Sequence, residues 1–243
     1  MKPLKKEIRM KLNLFKKFLA MAVTVASLTA FIPVNAFAAE LPVTKLKVSK
    51  EAEHIVLICG HKSNKNKVTV NDYLKDSNGN WYRNWQVGGV CGMNGISTSK
   101  VEGDKKTPEG VFSPTISFGL KDNPGSKLDY HKIVEGDYWV DDSNSPYYNK
   151  LVNTNTTAKN WNSAEDMLGA APYYNYAISL DYNIDAVPNK GSAVFIHCTK
   201  DLTDTYSAGC IRIPEEYMIK LVNSVDSKTK IVILENVDKL TMY

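Results

Sequence analysis

Apolar residues in this chain fall in short blocks separated by turn residues, with few helical stripes. His54-Ile55-Val56-Leu57-Ile58-Cys59 is a nearly unbroken apolar run of strand length. Val68–Leu74 and Trp81–Val87 flank Asp76-Ser77-Asn78-Gly79, a turn signal that predicts two linked strands. Gly88-Gly89-Val90-Cys91-Gly92 and Asn94-Gly95 are too glycine-rich for a regular element and predict turns where backbones approach closely. Lys105–Gly110 reads as a turn into a strand over Val111–Phe118. Tyr176–Tyr182, Ala193–His197, Cys210–Ile213 and Lys230–Leu234 complete the strands. Two short helices are predicted. Asn162-Ser163-Ala164-Glu165 fits a capping box for a helix ended by Gly169. Pro214 opens the second, with Glu215 and Glu216 in its first turn and Met218, Leu221, Val222 and Val225 along one face. Many short strands with turn-rich links predict a mostly-β sandwich or partly open barrel.

The beginning of the chain has another pattern. Lys2, Lys5, Lys6, Arg9, Lys11, Lys16 and Lys17 precede a mostly apolar stretch from Phe18 to Val34, and Ala36-Phe37-Ala38 is a small-x-small site. This predicts a secretory signal peptide over residues 1–38, with Met1 or Met10 as the start. An uncleaved membrane anchor is the alternative, which Pro33 disfavours. Without residues 1–38 the chain has 23 Lys+Arg against 25 Asp+Glu, net −2. The basic character of the whole chain therefore belongs to the leader, and nucleic acid is not an expected partner. No other apolar run is long enough to span a bilayer. No membrane association is expected after cleavage.

The candidate chemistry lies between Gly191 and Pro214. His197 closes one apolar run, and Cys210 opens the next after Ser207-Ala208-Gly209. Strand, loop and strand would bring both side chains to one cleft. A free thiol is only a few per cent thiolate at neutral pH; a neighbouring imidazole that takes its proton would keep an ion pair ready at rest. Gly209 permits a tight turn, so the amides of Ala208, Gly209 and Cys210 are candidates for an oxyanion hole. A backbone carbonyl near His197 or Cys198 would orient the imidazole.

Ile196-His197 and Ser207-Ala208-Gly209-Cys210-Ile211-Arg212 resemble the L,D-transpeptidase catalytic domain family (YkuD-like). So do Lys106-Thr107-Pro108-Glu109-Gly110-Val111-Phe112, Trp139-Val140-Asp141-Asp142, Tyr147-Tyr148-Asn149 and Gly191-Ser192-Ala193. Order and spacing hold over roughly residues 50 to 236. The commoner family motif has a second histidine beside the nucleophile; here Ala208 stands there, and His197 precedes Cys210 by only 13 positions. The resemblance implies a β-sandwich-like catalytic fold over residues 53–243, after a short lead-in over 39–52. It also implies a secreted or wall-associated enzyme acting on peptidoglycan stem peptides, with Cys210 as nucleophile and His197 as base. No metal or organic cofactor is implied, and a monomer is expected. The expected outcome is 3→3 cross-linking of tetrapeptide stems through a Cys210 thioester, with L,D-carboxypeptidase action at the same site or an inactive wall-binding domain as the alternatives.

Other residues carry two readings each. Arg212 shares a strand face with Cys210. It suits either a clamp on a substrate carboxylate, with Ser207 beside it, or an ion pair with an acid on a nearby loop. Cys59 and Cys91 form a disulfide, or Cys59 and Cys198 are small buried residues. Asp141 and Asp142 form an acid–base pair or shape a turn. The aromatics from Tyr130 to Tyr176 line a cleft or fill space under loops.

Overall fold

The computed structural model describes residues 40–243 apart from Leu202. The signal peptide expected over 1–38 lies outside the described residues. The strands are β1 His54–His61, β2 Asn64–Lys75, β3 Trp81–Val90, β4 Ile96–Ser97, β5 Thr107–Pro108, β6 Gly110–Phe112, β7 Pro114–Gly119 and β8 Tyr130–Lys132. They continue as β9 Asp137–Val140, β10 Leu151–Asn153, β11 Ala164–Asp166, β12 Ala177–Leu180, β13 Phe195–Cys198, β14 Ile211–Ile213 and β15 Lys230–Leu234. Helix α1 spans Glu215–Ser224. The fold is mostly β.

A ten-stranded sheet runs in the order β6-β15-β1-β2-β3-β14-β13-β12-β7-β8, with β1–β15 and β13–β14 parallel. Only Ser113 separates β6, on one edge, from β7, near the other. The sheet must therefore curl until its two ends meet. Inside the curl, Met218, Leu221, Val222 and Val225 pack against Val56, Ile58, Ile196, Ile211 and Ile233. The period of two sends alternate residues to the outer face. Ile55, Leu57 and Cys59 of β1 face a second cluster, and Phe195 of β13 faces a third with Phe118, Trp139 and Tyr174. Strands buried on both faces read as continuous apolar runs, which is why β1 and β15 stand out in the sequence.

Several expectations change. The strand expected over Val111–Phe118 breaks at Ser113, whose N–H donates to Asp181 Oδ1 at 2.9 Å. Gly88 and Gly89 lie inside β3, where a Cβ on Gly89 would come within 2.6 Å of the Arg212 carbonyl oxygen; the expected close approach is real, but it occurs within a strand. The helix expected after Asn162 is absent. The Asn162 N–H and side-chain amide donate to Asp142 Oδ2, while Glu165 sits in β11 opposite Trp139 and turns to Tyr174. Neither member of the supposed capping box is free to cap. The lead-in belongs to the core: Val43 and Leu46 are buried beside Leu240, and the Val48 N–H bonds the Tyr243 carbonyl at 3.1 Å. All four cysteines are free. Cys59 packs in the second cluster and Cys91 inside the curl, so they do not pair.

Candidate active site

β13 and β14 run parallel with Ile196 beside Ile211 and His197 beside Arg212. This register turns Ile196 and Ile211 inward and sends Phe195, His197, Cys210 and Arg212 to the outer face. Cys210 and His197 are 8% and 3% exposed.

Three constraints shape the nucleophile loop. Gly209 has φ +155, and a Cβ there would meet the Lys106 carbonyl oxygen at 3.0 Å, so the position calls for glycine. The Ser207 hydroxyl accepts from the Gly209 N–H at 3.0 Å and donates to the Cys210 carbonyl at 2.5 Å. Fully buried Thr107 accepts from the Gly92 N–H at 2.9 Å and donates to the Gly209 carbonyl at 2.6 Å. Ser207 is thus spent inside the loop, not turned toward a ligand, and the Gly209 amide is occupied by it.

The other wall is built from segments far apart in sequence. Asn149 Oδ1 accepts from Trp139 Nε1 at 3.1 Å and from the Ala193 N–H at 3.0 Å. Both Asn149 (φ 56) and Ala193 (φ 51) are left-handed. Buried Tyr148 accepts from the Gly191 N–H at 2.9 Å and donates to Glu102, which also accepts from the Ser192 hydroxyl at 2.7 Å. The scattered motifs around Trp139, Tyr148, Asn149 and Ala193 therefore form one scaffold, whose Ala193 carbonyl accepts from the Cys210 thiol at 3.2 Å.

His197 Nδ1 lies 3.0 Å from the Cys198 carbonyl. A carbonyl only accepts, so Nδ1 carries the proton and Nε2 is left as the basic nitrogen. Tyr173 and Tyr174 present their rings at right angles to the imidazole, with centroids at 5.9 and 5.1 Å. Burial, reinforced by the Arg212 charge, pushes the His197 pKa down to about 3, against the pull of the Cys198 and Tyr173 carbonyls. Burial, with the Glu165 charge, pushes the Cys210 thiol up to about 12. The Phe195 N–H and the Arg212 and Lys100 charges oppose this without reversing it. The resting pair is therefore neutral thiol and neutral imidazole, not the ion pair expected from residue types. Among the described residues no hydrogen bond joins the two; the thiol is held on Ala193.

Cys210, Ala208 and Gly209 line a cavity of about 200 Å³ that also takes in Lys100, Asp141 and Glu165. Arg212 is not in its lining. Its Nη1 donates to the Tyr206 carbonyl at 3.1 Å and lies 3.6 Å from Asp204, and its guanidinium stacks 4.2 Å over Tyr173. The ion-pair reading of Arg212 is the one the structure carries. The two aspartates divide: Asp142 accepts from the Asn144 N–H in a turn and from the Asn162 N–H twenty residues on, whereas Asp141 Oδ1 is buried without a hydrogen-bond partner among the described residues. Glu165 and Lys100 were not legible as site residues in the sequence, and no local motif marks them; Tyr174 was legible only as one of the clustered aromatics.

A buried cysteine just ahead of one strand and an Nδ1-protonated histidine on the parallel strand beside it, next to a cavity with charged residues in its wall, define a candidate cysteine acyl-transfer site. The family model for the L,D-transpeptidase catalytic domain (YkuD) matches residues 65–233, and the chain belongs to that family. None of the curated proteins matches it. Among solved structures it is similar to the helical cell shape determining protein Pgp2 from Campylobacter jejuni. Identity is 16% over 81% of this chain and 55% of that one, with a TM-score of 0.40; the chain spans about half of that protein's length.

Proposed function

We propose that the protein is a secreted, monomeric cysteine acyltransferase that joins tetrapeptide stems of peptidoglycan by 3→3 cross-links through a Cys210 thioester. The supporting observation is the shared outer face of His197 and Cys210, with Cys210 lining a cavity and the imidazole held in the tautomer that leaves Nε2 basic.

Cys210 leaves the Ala193 carbonyl and attacks the carbonyl of the third stem residue as His197 Nε2 takes the thiol proton. Because both groups rest neutral, proton transfer accompanies attack. The Gly209 N–H serves Ser207, so the amides of Ala208 and Cys210 are assigned to the oxyanion. His197 passes its proton to the departing D-alanine amine, and the thioester remains. The side-chain amine of a second stem then takes the acyl group. With water as acceptor the same site is an L,D-carboxypeptidase. No step calls for a metal or organic cofactor. The parked thiol is also what a wall-binding domain without catalysis would show.

Mass spectrometry of disaccharide-tetrapeptide incubated with the protein separates these readings, with Cys210→Ala as control. A dimer lacking one D-alanine, absent from the control, is expected. Tripeptide alone means carboxypeptidase, and unchanged tetrapeptide refutes acyl transfer.

A further inference from the structure

The cavity beside Cys210 has an acidic wall that the first half-reaction does not use. Glu165 stands on β11, and its carboxylate receives the Tyr174 hydroxyl. The ring of that same tyrosine packs edge-on against His197 at 5.1 Å. Asp141 lines the same cavity, and among the described residues no donor reaches its buried Oδ1. A buried carboxylate oxygen without a donor is costly unless a ligand supplies one. Glu102, the third acid of the lining, is already occupied by Tyr148 and Ser192. Glu102 is engaged on both oxygens, the second by the Gly103 N–H, whereas Glu165 accepts only from Tyr174 among the described residues; Asp141 and Glu165 are therefore the lining acids with acceptor capacity left.

The chemistry of the second half-reaction says what that visitor is. A primary amine acceptor reaches the site as ammonium, since its pKa is near that of lysine, about 10.4. To become an amide its nitrogen must lose two protons. His197 handles one, relaying it to the Cys210 sulfur as the thioester breaks. The other must leave before attack, because ammonium has no lone pair. Water, the competing acceptor, gives up only one proton and needs no second base.

We propose that Glu165 is this second base, with Asp141 holding the arriving ammonium, and that the pair steers the acyl group to an amine in preference to water; the proposal rests on the acyl-transfer reading above. The Glu165 carboxylate takes one proton from the ammonium, the freed amine attacks the thioester carbonyl, and the carbon–sulfur bond breaks. The second proton passes through His197 to sulfur, and Glu165 returns its proton to solvent. Burial places the Glu165 carboxyl at about 7, with Asp141 and Glu102 adding to the rise while Tyr174 and Arg212 oppose it. Lys100 and Lys105 are the cations on the cavity wall, and Cys210 is the remaining titratable group there. A base in that range exchanges protons at working pH.

The test is the ratio of cross-linked dimer to tripeptide formed from disaccharide-tetrapeptide by the full-length protein between pH 6 and 8.5. Wild type, Glu165→Gln, Asp141→Asn and Tyr174→Phe are compared by mass spectrometry. The wild-type ratio is expected to rise through about pH 7. Glu165→Gln, which still accepts from Tyr174, should lower the ratio by about tenfold or more at pH 8 and flatten its pH profile. Asp141→Asn should raise the acceptor concentration needed for half-maximal cross-linking. Tyr174→Phe removes a donor to the carboxylate and should move the midpoint to higher pH. An unchanged ratio in Glu165→Gln, with both products formed, overturns this inference alone. So does an equal fall in both products, which would place Glu165 in the first half-reaction or in the fold. A wild-type protein that releases no D-alanine overturns the inference together with the acyl-transfer reading.

Discussion

Thr107→Val should loosen the nucleophile loop, because Thr107 holds the carbonyl of Gly209, a residue of the cavity wall. The side chain is fully buried, and its hydroxyl bridges the Gly92 N–H and the Gly209 carbonyl. Valine has nearly the same shape, so packing is kept and only the bridge is lost. Each buried polar group left unpaired costs about 1–3 kcal/mol, giving roughly 2–6 kcal/mol for the two. The lower half of that range is expected, because a loop carbonyl can shift toward water. For a domain of this size about 3 kcal/mol corresponds to a fall in Tm of about 6–12 °C. Thr107→Ser keeps the bridge and loses one methyl group, about 1 kcal/mol. Thermal unfolding and single-turnover acylation of Cys210 should be measured on the three proteins. Misplacement of a reacting group by about 1 Å can cost a hundredfold, so Val should acylate at least about tenfold more slowly while Ser stays near wild type. A valine variant that melts within about 2 °C of wild type and acylates at the same rate would refute the bridge as the support of the loop.

Asn149→Ala should lower Tm by several degrees and slow acylation, because Trp139 Nε1 and the Ala193 N–H lose their acceptor and alanine is strained at φ 56; unfolding curves check this. Iodoacetamide should label Cys210 slowly at pH 7, with a rate still rising above pH 9, since burial holds the thiol near 12. A labelling step below pH 7 would reveal an ion pair instead. Stability should fall as pH drops from about 6.5 toward 3, because the unfolded imidazole binds a proton that folded His197, lowered to about 3, refuses. Chemical denaturation at several pH values should show that slope, and His197→Gln should reduce it.

What could be read from the sequence follows burial. β1 and β15 are apolar on both faces, and α1 carries a stripe at helical spacing, so their residues announce them. Cys210 and His197 were legible because each sits at the end of such a run. β11 was not, since three residues are too few to show alternation, and Asn162 and Glu165 happen to match a capping box. Glu165 and Asp141 come to the cavity only because β9 and β11 pair behind Trp139. Thr107 holds a carbonyl 102 residues away. The ion pair expected from a cysteine and a histidine fails for a related reason: residue types convey neither burial nor the positive charge of Arg212 beside the imidazole.

The most direct test of the account is the intact mass of the protein quenched in acid during turnover of disaccharide-tetrapeptide. The account predicts an adduct equal to the disaccharide-tripeptide acyl group, carried on Cys210, absent from Cys210→Ala and much reduced in His197→Ala. A protein that never gains that mass, while folded and with its thiol reduced, would contradict it.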